Sequence, residues 1–101
     1  PLEGGAHAAL KGVAGMGAYC AAKSAVMRAT ESASAELRGK GINVNCVLPT
    51  ILDTPQNRAA MPKADPGKWV ALDDLAAAIA FLASGDARAV HGALLPVTGL
   101  S

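Results

Sequence analysis

The chain has 101 residues, enough for one small domain, and 51% of them are hydrophobic although only 3% are aromatic. Nine basic and eight acidic residues leave a net charge of +1 with no charged block, which argues against nucleic acid or an anionic membrane as a partner. The longest apolar run, Leu75 to Ala83, is far short of the roughly 20 residues of a membrane-spanning helix, and two distant cysteines, Cys20 and Cys46, fit a reduced cytoplasmic protein better than a disulfide framework.

Residues 1 to 16 are rich in Gly and Ala and read as a loop with little regular structure. From Ala18 to Arg38 there is no Gly or Pro, and Ala22, Val26, Ala29, Ala33 and Leu37 recur at helical spacing. Gly39 and Gly41 supply the stop. Ile42 to Leu48 is short, apolar and β-branched and is closed by Pro49, the pattern of a buried parallel strand. Residues 50 to 70 are long for a connection and, counted from Pro49, hold four prolines; such segments are commonly lids or binding loops. Leu72 to Ser84 reads as a second helix, with Leu75, Ile79 and Leu82 on one face and Asp73 and Asp74 suited to the dipole at its start. Gly92 to Thr98 reads as a second strand. Two parallel strands cannot cover both of their faces alone, so the pattern predicts part of a larger α/β, doubly wound parallel sheet. The absence of Met at Pro1 agrees with a chain whose upstream part lies elsewhere.

Tyr19 and Lys23 are four apart at the start of the first helix, on one face and one turn apart. An ammonium beside a phenol favours the phenolate and brings the group toward the range of a general acid or base. Many helices carry such a pair by chance, so spacing alone does not single it out.

The surrounding residues do. Gly-Met-Gly-Ala-Tyr19-Cys-Ala-Ala-Lys23-Ser-Ala-Val, then Ala-Glu-Leu-Arg-Gly-Lys-Gly-Ile-Asn-Val-Asn-Cys-Val-Leu-Pro49, then Ile51-Leu52-Asp53-Thr54-Pro55, and finally Gly92-Ala-Leu-Leu-Pro-Val-Thr-Gly99 resemble, in order and spacing, the second half of the short-chain dehydrogenase/reductases. The resemblance implies a Rossmann-type domain whose N-terminal dinucleotide-binding half is not in this chain, with residues 50 to 70 as a substrate lid. It implies an NAD- or NADP-dependent oxidoreductase that moves a hydride between the coenzyme and a small organic substrate. Tyr19 would be the catalytic acid/base, and Lys23 would lower its pKa and bond the nicotinamide ribose. Pro49, Thr50, Leu52 and Thr54 would sit beside the nicotinamide, with the Leu52 backbone at the carboxamide. Thr50 stands where most members have Gly. No metal is expected, and the family implies a homo-oligomer, dimer or tetramer.

One departure matters. Most members place a Ser thirteen residues before the Tyr, where this chain has Ala6, with His7 as the nearby polar side chain. The segments Gly5 to Leu10 and Leu52 to Asp65, followed by Trp69, are similar to those of dihydropteridine reductases, which also have Ala at this place. Quinonoid dihydropterin reduction is therefore an alternative activity. A catalytically inactive relative serving as a binding or scaffold module is an alternative of another class. Asp53, Asn57 and Arg58 read as a polar network shaping the lid, Trp69 as the residue pinning it to the body, Cys20 and Cys46 as buried packing, and His91 as a surface residue.

Overall fold

The computed structural model describes residues 2–4 and 17–101, with side chains from Cys20 onward. Three parallel strands, β1 (Leu2–Gly4), β2 (Asn45–Pro49) and β3 (Leu94–Val97), form one sheet in that order. Leu2 pairs with Asn45, Cys46 with Leu94 and Pro49 with Val97. The helices are α1 (Gly17–Leu37), α2 (Pro55–Ala60) and α3 (Leu72–Ala83). The third strand corrects the sequence reading, which treated residues 1 to 16 as a loop. Leu2 to Gly4 become a strand because β2 offers a free ladder edge, and backbone pairing there outweighs the weak β preference of Gly. The remaining residues of that segment, including Ala6 and His7, lie outside the described residues.

The helix limits agree with expectation to within a residue, but the first predicted strand starts three residues late. After α1 the chain makes one 3-10 turn, Arg38–Lys40, and the Ile42 N–H is still bonded to the Leu37 carbonyl at 3.3 Å. Ile42 and Asn43 are thus spent on leaving the helix, and pairing begins at Asn45. Pro96 is tolerated in β3 because that strand pairs only with β2 in the described sheet. The N–H groups of Cys46 in β2 and of Thr50 just after it bond the carbonyls of Ala93 and Val97. By alternation, the position of Pro96 faces away from β2, where a missing N–H costs the ladder nothing.

Asn45 to Leu48 are all buried. Cys46 and Leu48, on one face of β2, form the core with Met27 of α1, and Val26 and Leu94 pack around them. The buried stripe of α1 is Met27, Thr30 and Ser34; of the residues at helical spacing, Val26 packs beside this stripe while Ala22 and Ala29 are exposed. Two hydroxyl residues can face the sheet because their polar groups are used locally. Thr30 Oγ1 donates to the Val26 carbonyl at 2.9 Å. Ser34 lies against Gly92, where a Cβ would come within 3.2 Å of its Oγ; Gly92 also has φ +73°. A small residue on the helix and a glycine on the strand approach therefore permit close contact. α3 packs against β1 and β2 with Leu82 buried, while Leu72 and Phe81 remain about half exposed, at 51% and 48%.

Candidate active site

Two contacts orient α1 on the sheet. Ser34 sits at Gly92, before β3, and Met27 sits at Cys46 and Leu48. Moving from Ser34 back to Met27 is therefore moving toward the carboxyl ends of the strands. Lys23 is four residues farther on the same stripe and Tyr19 four more. At about 1.5 Å per helical residue these steps are about 6 Å each, and a strand advances about 3.3 Å per residue. Lys23 is thus level with the residues that follow β2. The backbone at Tyr19 is helical, so the one-turn relation to Lys23 holds, and Lys23 is half-buried. The Tyr19 side chain is outside the described set.

The segment after β2 is more ordered than a bare loop. Its two ends meet, with Leu52 bridging Val70 in parallel fashion, the Val70 N–H bonded to the Ile51 carbonyl at 2.9 Å and the Asp53 N–H to the Val70 carbonyl at 2.8 Å. Thr54 caps α2, its hydroxyl accepting from the Asn57 N–H at 3.1 Å, with Pro55 at the first helical position. The cap uses a lone pair of Thr54 and leaves its hydroxyl proton available. Asn57 Nδ2 donates to the Leu52 carbonyl at 2.8 Å. Arg58 grips Asp53 with two bonds of 2.7 and 2.9 Å, and that hydrogen-bonded guanidinium holds the Asp53 carboxyl below its ordinary value. Asp65 caps a one-turn 3-10 helix, Pro66–Lys68, through the Gly67 N–H. The expected polar network of Asp53, Asn57 and Arg58 is therefore present, and Trp69, 7% exposed, anchors the return of the segment.

Thr50 is bound to the end of the chain. Its N–H bonds the Val97 carbonyl at 3.2 Å, and its hydroxyl lies 3.1 Å from the Thr98 carbonyl and 2.7 Å from Ser101 Oγ. The same turn holds the Lys68 carbonyl through the Leu100 N–H at 3.0 Å. Gly99, with φ +59°, passes so close that a Cβ would lie 2.9 Å from the Trp69 carbonyl oxygen. Of the expected site residues, Pro49, Thr50, Leu52 and Thr54 thus lie consecutively along the strand end and loop, and Tyr19 and Lys23 lie on the helix stripe that leads to it. Three further readings change. Cys46 is fully buried but Cys20 only partly. His91 is half-buried, and its Nδ1 is enclosed with no partner among the described residues. Asn57, taken from the sequence only as part of a network, holds both Leu52 and Thr54; the Thr54-x-x-Asn57 spacing resembles a capping box and was the available signal.

One backbone group stands out. In a parallel bridge the N–H and carbonyl of Leu52 point away from Val70. The carbonyl is taken by Asn57, while the Leu52 N–H has no partner among the described residues. It is a donor just beyond the carboxyl end of β2, the end of the strands at which open parallel sheets bind ligands.

A family model described as enoyl-(acyl carrier protein) reductase matches residues 5–99. The chain belongs to the short-chain dehydrogenase/reductase family. It is 41% identical over 96 residues to cis-4-hydroxycyclohexanecarboxylate dehydrogenase of Sinomonas cyclohexanicum, covering 87% of this chain and 39% of that protein. It is 38% identical over 109 aligned positions to the inactive 2-(S)-hydroxypropyl-CoM dehydrogenase 2 of Xanthobacter autotrophicus, covering 94% and 47%. A solved structure from Beutenbergia cavernae, assigned as an NAD(P)-dependent gluconate 5-dehydrogenase with NADP bound at low occupancy, superposes with a TM-score of 0.85 at 28% identity, covering 97% of this chain and 43% of that one. The chain thus spans less than half the length of these relatives. The α/β architecture with parallel strands is part of the Rossmann-type sheet those structures share.

Proposed function

We propose that this chain is the carboxyl-terminal half of a Rossmann-type domain in an NAD(P)-dependent oxidoreductase, and that it carries the proton-transfer pair and the nicotinamide side of the coenzyme site. The observation that carries this reading is the convergence of two elements. The Tyr19–Lys23 stripe of α1 runs toward the carboxyl end of β2, and the segment leaving that end keeps the Leu52 N–H free of any described partner. Coenzyme, when bound, supplies or accepts the hydride. Leu52 offers its N–H to the carboxamide oxygen, Thr54 offers its hydroxyl proton to a nearby acceptor, and Pro49 and Thr50 form the wall at the strand end. Lys23 bonds the ribose and, as a cation one turn from Tyr19, favours the phenolate. Tyr19 then gives its proton to the substrate oxygen in reduction and takes it back in oxidation.

A carbonyl and its alcohol form the substrate pair that fits best, since one relative is a cis-4-hydroxycyclohexanecarboxylate dehydrogenase. Neither relative supports the dihydropterin alternative suggested by the Leu52 to Asp65 segment. One relative is inactive by name, which keeps the scaffold alternative in view, but Tyr19 and Lys23 are both present here on one helical face. The same reading has residues 50 to 70 acting as a lid, and a homo-oligomer working in the cytoplasm. The exposed apolar side chains of α3 support the oligomer, and no helix among the described residues is long and apolar enough to cross a membrane.

The test is Tyr19→Phe in the full-length protein. Turnover should fall by about 10²–10⁴-fold, the usual contribution of a general acid or base, while NADH or NADPH still binds. Turnover within a few-fold of wild type would remove Tyr19 from the reaction.

A further inference from the structure

We infer that Asn57 is a positioning residue that aims the Leu52 N–H at the nicotinamide carboxamide; the inference rests on the oxidoreductase reading above. Two successive peptide units meet at Leu52 and carry four hydrogen-bonding groups. The Ile51 carbonyl accepts from the Val70 N–H at 2.9 Å, and the Asp53 N–H donates to the Val70 carbonyl at 2.8 Å. The Leu52 carbonyl accepts from Asn57 Nδ2 at 2.8 Å. The fourth group is the Leu52 N–H. Because the N–H and carbonyl of one extended residue point to the same side, Asn57 holds the side on which the coenzyme would be met, and Val70 holds the other.

Asn57 can do this because it is itself fixed. Its backbone N–H bonds Thr54 Oγ1 at 3.1 Å, and the next residue, Arg58, is tied back to Asp53 by its two-bond grip. A carbonyl oxygen accepts only from a donor, so the side-chain amide must present its NH₂ to Leu52. Among the described residues no other side chain bonds the Leu52 carbonyl. Without Asn57 the Leu52–Asp53 peptide is held on the Val70 side alone, and the Leu52 Cα, through which it joins the Ile51–Leu52 peptide, loses an anchor; the Leu52 N–H carried by that preceding peptide is then aimed less firmly at its target. The loss should be specific to ligands that carry a nicotinamide.

The experiment compares wild type, Asn57→Ala and Asn57→Asp in the full-length protein. Dissociation constants are measured for NADH and NADPH, and for ADP-ribose with and without a 2′-phosphate, which lack the nicotinamide. The preferred coenzyme should bind about threefold to tenfold more weakly to Asn57→Ala, the scale of one hydrogen bond, with the matching ADP-ribose ligand unchanged. Asn57→Asp should lose as much or more, because it sets an oxygen against the Leu52 carbonyl, even though a carboxylate in the first turn suits the dipole of α2. A role confined to holding α2 together would make Asp better than Ala and weaken all ligands alike. Either that pattern, or no change in any ligand, overturns the inference. Wild type that binds none of the four ligands would instead refute the oxidoreductase reading itself.

Discussion

The two ends of β2 are built with the same device and serve different purposes. At the amino end, Asn43 Nδ2 lies 3.1, 3.1 and 2.8 Å from the carbonyls of Ala87, Arg88 and Val90. Asn45, 1% exposed, donates to the Val90 carbonyl at 3.1 Å and accepts from the Ala93 N–H at 2.9 Å. These two side chains fasten the approach to β3 onto the start of β2. At the carboxyl end Asn57 also bonds a main-chain carbonyl, but it and its neighbours are only partly buried, and the segment it fastens ends in the Leu52 N–H, a donor that no described residue takes. A buried amide that bonds the protein in both directions, as Asn45 does, holds a fold together. A partly exposed amide that leaves its neighbour's donor to a ligand serves recognition. Substitutions at the two ends should therefore separate stability from coenzyme binding.

The largest effect on stability is expected at the amino end. Asn45→Ala removes two hydrogen bonds from a buried position and strands the Ala93 N–H. An unsatisfied donor costs about 1–3 kcal/mol and the other lost bond about 0.5–1.5 kcal/mol, so the total should be about 1.5–4.5 kcal/mol by denaturant unfolding. Coenzyme affinity of the folded fraction should stay at the wild-type value. A variant that keeps its stability but loses coenzyme would reverse the comparison between the ends.

Gly99→Ala tests the carboxyl end on intermediate terms. A side chain at φ +59° costs about 1–2 kcal/mol, and the Cβ meets the Trp69 carbonyl at 2.9 Å, a backbone atom that cannot turn aside. The expected result is a modest drop in unfolding stability together with faster amide exchange from Lys68 to Val70 and weaker coenzyme binding. Unchanged exchange there would mean that the turn at Thr98 to Ser101 does not support the root of the 50–70 segment.

What the sequence revealed follows from how locally each feature is determined. α1 was legible because twenty-one residues without an internal break need no partner to declare themselves. The Tyr19–Lys23 spacing followed from that helix. β1 was not legible, since Leu2 to Gly4 become a strand only by pairing with Asn45 to Val47, a contact more than forty residues away in the chain. The inward face of α1 was not legible because Thr30 and Ser34 look polar, and only the bond to Val26 and the contact with Gly92 make them suitable for burial. The prolines of the 49–70 stretch suggested an irregular connection, yet Pro55 and Pro66 each open a helical turn behind a capping side chain, Thr54 and Asp65. The resemblance to a family located Leu52, but the reason that its N–H is free, two chain segments taking the other three groups, exists only in three dimensions.

The smallest expected effect concerns pH and the Asp53–Arg58 pair. The hydrogen bond from Arg58 lowers the Asp53 pKa in the folded state, whereas in the unfolded chain it returns to about 3.9. A depressed folded pKa contributes stability that is present above the unfolded value and lost as pH falls through the folded one. The pair is partly exposed, with 58% of the Arg58 side chain and 27% of Asp53 accessible, so solvent and salt screen it and the global transition should hardly move. Its effect should appear locally. Amide exchange of Asn57 and Arg58, corrected for the intrinsic pH dependence, should be constant from neutral pH down to about pH 5 and accelerate below about pH 4. Amides around Asn45 and Ala93, which lie at the other end of β2 and are held by neutral groups, should show no such step. Asp53→Asn should abolish the step at Asn57 and Arg58, because an amide keeps the shape but neither titrates nor attracts the guanidinium. A step of equal size at both ends, or one that survives Asp53→Asn, would assign the acid sensitivity to general unfolding and not to this pair.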